Sequence, residues 1–99
     1  MPHYRRHLAP GATYFFTVNL RDRGSALLVE QVVALREAVR KVRAARPFHI
    51  GAWVVLPEHM HAMWTLPEGD SDYPGRWRAI KTEFSKFLST RDSVWQKRY

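Results

Sequence analysis

The spacing of apolar residues switches repeatedly between two periods along this chain, and that alternation limits the fold more than any other feature. From Ala12 to Leu20 the period is two. Tyr14, Phe16, Val18 and Leu20 fall on one side and Phe15, Thr17 and Asn19 on the other, which predicts a strand. Pro10-Gly11 before it is a turn signal, and Arg21 to Ser25 after it is a charged loop. Leu28, Val32, Leu35, Val39 and Val42 then form one helical stripe, predicting a helix from about Leu27 to Ala45 that Pro47 stops. Arg36, Arg40 and Arg43 lie on another side of that helix, and Glu37 and Lys41 are spaced to pair along it. Phe48 to Leu56 reads as a second strand, broken by Pro57-Glu58. His59 to Leu66 reads as a third, closed by Pro67-Glu68-Gly69-Asp70. The short interval between these two strands predicts a hairpin. Ser71 or Asp72 is placed to cap a second helix, whose stripe is Trp77, Ile80, Phe84 and Phe87 or Leu88. Val94 to Tyr99 reads as the start of a fourth strand.

The predicted order is β-α-β-β-α-β. It implies an α+β fold of the ferredoxin-like kind, a four-stranded antiparallel sheet with both helices on one face. At 99 residues the chain is one domain, residues 1-99. Many functions use this scaffold, so the arrangement decides none of them.

Composition narrows the partners. Sixteen Lys and Arg against nine Asp and Glu give a formal charge of +7, which favours a polyanion, with nucleic acid ahead of an anionic membrane surface. No apolar run approaches the ~20 residues needed to cross a bilayer. The basic, polar stretch from Met1 to Leu8 lacks the apolar segment of a signal peptide. With no cysteine, neither a disulfide nor a thiolate metal site is available. These features predict a cytoplasmic protein without a membrane partner.

His59 and His61 are the candidate site. Two apart in a predicted strand, they place both imidazoles on one face. Two neutral imidazoles side by side make a partial site for Mg²⁺, Mn²⁺ or Zn²⁺, and equally a pair of solvated or hydrogen-bonded strand histidines. Glu58 beside them reads as a solvated turn carboxylate rather than an assisting group. Trp53, Trp64 and Trp77 lie within apolar patterns and read as core, while Trp95, near the end, reads as the exposed tryptophan.

The wider sequence carries a resemblance. Tyr4-Arg5-Arg6, the run from Pro10 to Leu20, the run from Ala52 to His61, Trp64-Thr65-Leu66-Pro67-Glu68-Gly69-Asp70 and Arg76-Trp77-Arg78-Ala79-Ile80-Lys81 together resemble REP-associated tyrosine transposases. These belong to the histidine–hydrophobe–histidine single-strand nucleases. The resemblance covers essentially the whole chain, in order. It implies that His59 and His61, with a third polar ligand, hold a divalent metal, Mg²⁺ or Mn²⁺, which polarises a scissile phosphate for attack by a tyrosine. It also implies single-stranded or hairpin DNA, the folded form of repetitive extragenic palindromes, as partner. In the family, the nucleophile and the third ligand sit on a helix after the fourth strand. Tyr99 matches an aromatic of that strand, and Tyr4, Tyr14 and Tyr73 lie elsewhere. The chain therefore reads as a truncated transposase domain whose metal binding is weak and whose strand cleavage is absent.

Arg5, Arg6, Arg21 and Arg23 around the first strand, and Arg76, Arg78 and Lys81 around the second helix, are the candidate phosphate contacts. The alternative reading is a non-catalytic nucleic-acid-binding module or regulator, and a third is a small metal-binding or structural dimer. A sheet missing its last helix has open edges and uncovered apolar surface, so a homodimer is expected as well.

Overall fold

The computed structural model describes residues 3–5 by their backbone, residues 11–88, and residue 95. Its elements run β1 (His3–Arg5), β2 (Ala12–Asn19), α1 (Leu27–Glu30), α2 (Val32–Ala45), β3 (His49–Val55), β4 (His59–Thr65) and α3 (Tyr73–Leu88). The strands form one antiparallel sheet in the order β1-β2-β4-β3.

Alternation in β2 and β4 decides the two faces. Phe16, Val18, Met60, Ala62 and Trp64 point into the core, where Leu35, Ala38 and Val42 of α2 and Trp77, Ile80 and Phe84 of α3 meet them. Trp64 and Trp77 stack with ring centroids 4.4 Å apart, and Phe16 tilts onto Trp64 at 4.8 Å. Aromatic pairs in such offset geometries add to the stabilisation from burial alone. Both longer helices therefore cover the same sheet face, as the periodicity predicts. The three tryptophans assigned to the core are packed there, Trp53 by its inner side.

The predicted capping is met by Asp72. Its carboxylate accepts from the Gly75 N–H at 2.9 Å, satisfying a donor that the first turn of α3 leaves open. Before β2, Gly11 adopts φ +76°, and a Cβ there would collide with the carbonyl oxygen of Leu66. The turn ahead of β2 therefore requires glycine.

Several expectations change. The first helix is interrupted at Gln31, giving α1 and α2. Glu37 pairs with Arg40, at 2.7 and 3.0 Å, and Lys41 instead reaches Glu83 of α3 at 2.9 Å. The extra strand β1 pairs with the start of β2, through Arg5 and Ala12 at one end and His3 and Tyr14 at the other. The other end of that same edge is met by Trp95, which bridges Leu20 antiparallel. The rest of the expected fourth strand, Val94 and Gln96 to Tyr99, lies outside the described residues. Trp95 is also not the exposed tryptophan. It is buried, with its ring 5.6 Å from Phe84, because the end of α3 presents an apolar surface that its ring covers.

Candidate functional site

His59 and His61 emerge on the sheet face away from α2 and α3. Their position follows from β4's alternation, because Met60 and Ala62 take the core side. The neighbours across the sheet are fixed by register. Thr17 of β2 and Val54 of β3 lie opposite His61, and Asn19 lies opposite His59. Phe15 and Val54, on the same face, are 44% and 52% exposed, so no described helix covers it.

The two rings stand 5.0 Å apart, edge to face. Each has Nδ1 engaged from the protein side. His61 Nδ1 is 3.0 Å from the Thr17 hydroxyl, and His59 Nδ1 is 2.7 Å from Glu58 Oε1. The bond to His59, helped by Arg23, holds the Glu58 carboxyl below the usual carboxylate range. An ionised carboxylate only accepts, so His59 carries a proton on Nδ1, and in the neutral ring the lone pair is then on Nε2. The Thr17 hydroxyl accepts or donates and so permits the same tautomer at His61. A carboxylate or hydroxyl behind an imidazole is how ligating histidines are commonly oriented.

Glu58 is thus not the solvated carboxylate expected. Its other oxygen accepts from Arg23 Nε at 3.1 Å, and the backbone of its turn is held by neighbours. Leu20 N–H donates to the Glu58 carbonyl at 2.8 Å and Leu28 N–H to the Pro57 carbonyl at 3.2 Å. Adjacent residues in a regular strand face opposite ways, so Glu58 reaches His59 only because it sits in the turn. Thr17 was equally unmarked in the sequence, the one signal being its place on the polar side of β2.

The residues fit a divalent cation as two nitrogen donors, with the remaining positions open to water and to phosphate oxygens. Among the described residues no cluster of three or more His, Cys, Asp or Glu stands ready to hold a metal.

The candidate phosphate contacts separate sharply. Arg21 and Arg23 are exposed beyond the end of β2, near the histidine end of the sheet, with Arg23 committed to Glu58; Arg78 is exposed on α3. Lys81 is half-buried against the Trp95 ring, 5.6 Å from its centroid, and burial pushes its pKa down to about 8. Arg76 is taken up by the fold. It is 2% exposed and donates to Asp70 at 2.9 and 3.2 Å and to the carbonyls of Arg46, Pro47 and Asp72 at 3.0 to 3.1 Å. Its partners lie across the α2–β3 connection and the loop before α3, a meeting that no local pattern announces. Arg6 and the side chain of Arg5 lie outside the described residues.

No protein-family model matches the chain. Two curated relatives align with all of it. One, from Escherichia coli K12, is a REP-associated tyrosine transposase, 54% identical over 99 residues, of which the chain covers 59%. The other, from Haemophilus influenzae, is a putative REP-associated tyrosine transposase, 33% identical over an alignment of 112 positions, of which the chain covers 64%. A solved structure of a REP-associated tyrosine transposase bound to a REP hairpin superposes with a TM-score of 0.85 at 55% identity. It matches 99% of this chain, which spans 59% of that protein. The chain thus spans about three-fifths of the length of these relatives.

Proposed function

From its kinship with the REP-associated tyrosine transposases, of which this chain is a relative along its whole length, we propose that it is a DNA-hairpin-binding unit that presents a metal-assisted phosphate site. The observation that carries the reading is the histidine pair itself. Both imidazoles stand on the sheet face that no described helix covers, with Nδ1 held from behind by Glu58 and Thr17 and Nε2 without a partner among the described residues. A polar pair buttressed on one side and open on the other is built to receive something.

When bound, a divalent metal would neutralise charge on a phosphodiester, making the phosphorus open to attack. His59 and His61 would hold it, Glu58 would keep His59 in the ligating tautomer, and Thr17 would fix the ring plane of His61. Arg21, exposed beyond the end of β2, is placed to attract the DNA backbone toward this end of the sheet.

Attack by a tyrosine, which the relatives' name implies, has no performer among the tyrosines whose side chains are described. Tyr14 and Tyr73 tilt against each other with centroids 4.9 Å apart, and both meet Phe16 on the core side of the sheet, away from the histidines. We therefore read these 99 residues, taken alone, as binding DNA without cutting it. The homodimer expected from the sequence meets an obstacle at one sheet edge. The outer edge of β3 runs beside Arg36, Arg40 and Arg43, and pairing two copies there would oppose like charges. No described helix is long and apolar enough to cross a membrane. A cytoplasmic location, where DNA is met, belongs to the same proposal.

The test is anisotropy of a labelled hairpin titrated with the chain at several salt concentrations, with and without Mn²⁺, for the wild type and His59→Ala/His61→Ala. We expect salt-sensitive binding that Mn²⁺ strengthens only in the wild type, and no covalent adduct on a denaturing gel. Absence of binding at low salt would sink the reading. A Mn²⁺ effect surviving the double substitution would remove the histidines from the site.

A further inference from the structure

β3 is an outer strand of the sheet, and among the described residues no strand pairs with its free edge. Which backbone groups that edge presents follows from the hairpin. The Leu56 N–H donates to the His59 carbonyl at 2.8 Å, and bonded and non-bonded pairs then alternate back along Val55↔Met60, Val54↔His61 and Trp53↔Ala62. Trp53 and Val55 therefore direct their N–H and C=O groups outward, away from β4. The same two residues, with Ile50, put half-buried side chains on the floor of a groove of about 560 Å³ between β3 and α2. Exposed Arg36, Arg40 and Arg43 form its wall.

Free edges are commonly blocked against strand pairing by a proline, a lysine or an inward-pointing charge. The run His49-Ile50-Gly51-Ala52-Trp53-Val54-Val55 has none of these, although its register shifts between Ile50 and Ala52. The selectivity of this edge is electrostatic instead. No acidic side chain lines the groove. Glu37, on the same helix, is occupied by Arg40, and an exposed pair of that kind is weak and readily exchanged for another anion.

We propose that the β3 edge takes up an extended, acidic segment of a partner protein as a further strand of the sheet. The segment's backbone pairs with Trp53 and Val55, and every second side chain turns to the helix side, beside the groove floor and against the arginine wall. Side chains on that side recur every ~6.6 Å along a strand. Arg36 and Arg40 are ~6 Å apart along the axis of α2. Glutamates at alternate positions thus lay their methylenes beside Trp53 and Val55 and their carboxylates against the two guanidiniums. A polypeptide fits this edge better than DNA does. The edge offers both N–H donors and C=O acceptors, and the sugar–phosphate backbone of DNA has no donor for the carbonyls. A second copy of the chain is disfavoured by its own arginine row, which two-fold pairing along β3 would bring against this one.

The test titrates the chain with a labelled peptide, Thr-Glu-Val-Glu-Val-Glu-Thr, and follows anisotropy. Its controls are the same peptide with glutamine for glutamate, with lysine for glutamate, and with either set of alternate amides N-methylated. The acidic peptide should bind about ten-fold more tightly than the glutamine one, and the lysine one should not bind. One of the two methylated sets should lose about ten-fold, since it alone blocks the paired edge. Arg36→Ala/Arg40→Ala removes two exposed side chains outside the core, and leaves Arg43, which donates to the Phe48 carbonyl at 3.0 Å, intact. This variant should lose about ten-fold on the acidic peptide and stay within about two-fold on the glutamine one. Bound peptide should slow hydrogen exchange at the Trp53 and Val55 amides, which a purely ionic contact with α2 would not. Equal affinity for the acidic and glutamine peptides, or exchange at Trp53 and Val55 that the peptide leaves unchanged, would overturn the proposal. Oligothymidine that displaces the peptide and itself weakens about ten-fold in the variant would give the groove to DNA and reject the peptide. A concentration-dependent dimer that the peptide fails to dissociate would give the edge to a second copy.

Discussion

Arg76 and the His59–His61 pair are both polar groups in an otherwise apolar frame, and they end in opposite conditions. Arg76 has a carboxylate and three backbone carbonyls around its guanidinium and almost no contact with solvent. The histidines have one nitrogen each held and, among the described residues, one left over. A fully satisfied buried charge ties segments together and has nothing to offer a partner. A half-satisfied pair on an open face is oriented yet still able to bind. Side-chain type did not separate these roles, since an arginine is the more obvious nucleic-acid residue of the two. The count of bonds already used inside the fold did.

The comparison breaks most visibly at Arg76. Arg76→Ala takes the guanidinium from Asp70 and leaves three carbonyls without this donor, and should lower stability by about 2–3 kcal/mol. Urea unfolding followed by tryptophan fluorescence measures it. Asp70 supplies a second readout. The Arg76 guanidinium, aided by the Asp72 N–H, holds its pKa down to about 2, so the wild type keeps this stabilisation above the ordinary carboxylate range and loses it as pH falls toward 2. The variant should lack that part of the acid dependence. A loss near zero at neutral pH would return Arg76 to the list of candidate phosphate contacts.

The histidine side is sharpened by removing its supports while keeping its ligands. Glu58→Gln and Thr17→Val should each weaken Mn²⁺ binding by about 10- to 100-fold, the usual consequence of losing a partner behind a ligating imidazole. Isothermal calorimetry reads the affinity, and circular dichroism should show the fold unchanged. Unaltered affinity in both variants would mean that the bonds at Nδ1 do not set the ring orientation.

Lys81 falls between the two regions, half-buried against the Trp95 ring. Burial disfavours its charged form and brings its pKa down to about 8. The unfolded chain then holds more protons than the folded one between about pH 8 and 10.5, so stability rises with pH across that window. Lys81→Met should be the more stable protein at pH 7, by about 1 kcal/mol after allowance for solvent, or ~4–8 °C in Tm. The difference should shrink as pH climbs past 8. Thermal melts at pH 7 and pH 9.5 check this, and a constant difference would mean that Lys81 is charged without penalty.

Much of this protein was legible in the order of its residues. Period-two alternation placed Phe16 and Val18 inward and His59 beside His61. The stripe from Leu28 to Val42 gave most of one helix's buried face, and Trp77, Ile80 and Phe84 gave the other's. These are readings of local geometry, because a strand or helix displays its faces at fixed intervals whatever surrounds it. The motifs along the chain likewise pointed to the transposase relatives that the alignments then supplied.

Only the tertiary structure decided which polar residues were still free. Arg76 meets the carbonyls of Arg46 and Pro47, 30 and 29 positions away, and Arg23 reaches Glu58 across 35. Trp95 finds the core through Phe84 and the edge of β2, and the Arg36–Arg43 row becomes a groove wall only where β3 passes beside it. Burial, pairing and concavity belong to the neighbours a residue acquires on folding. The sequence states which faces exist, and the packing of those faces determines which groups remain available for a ligand.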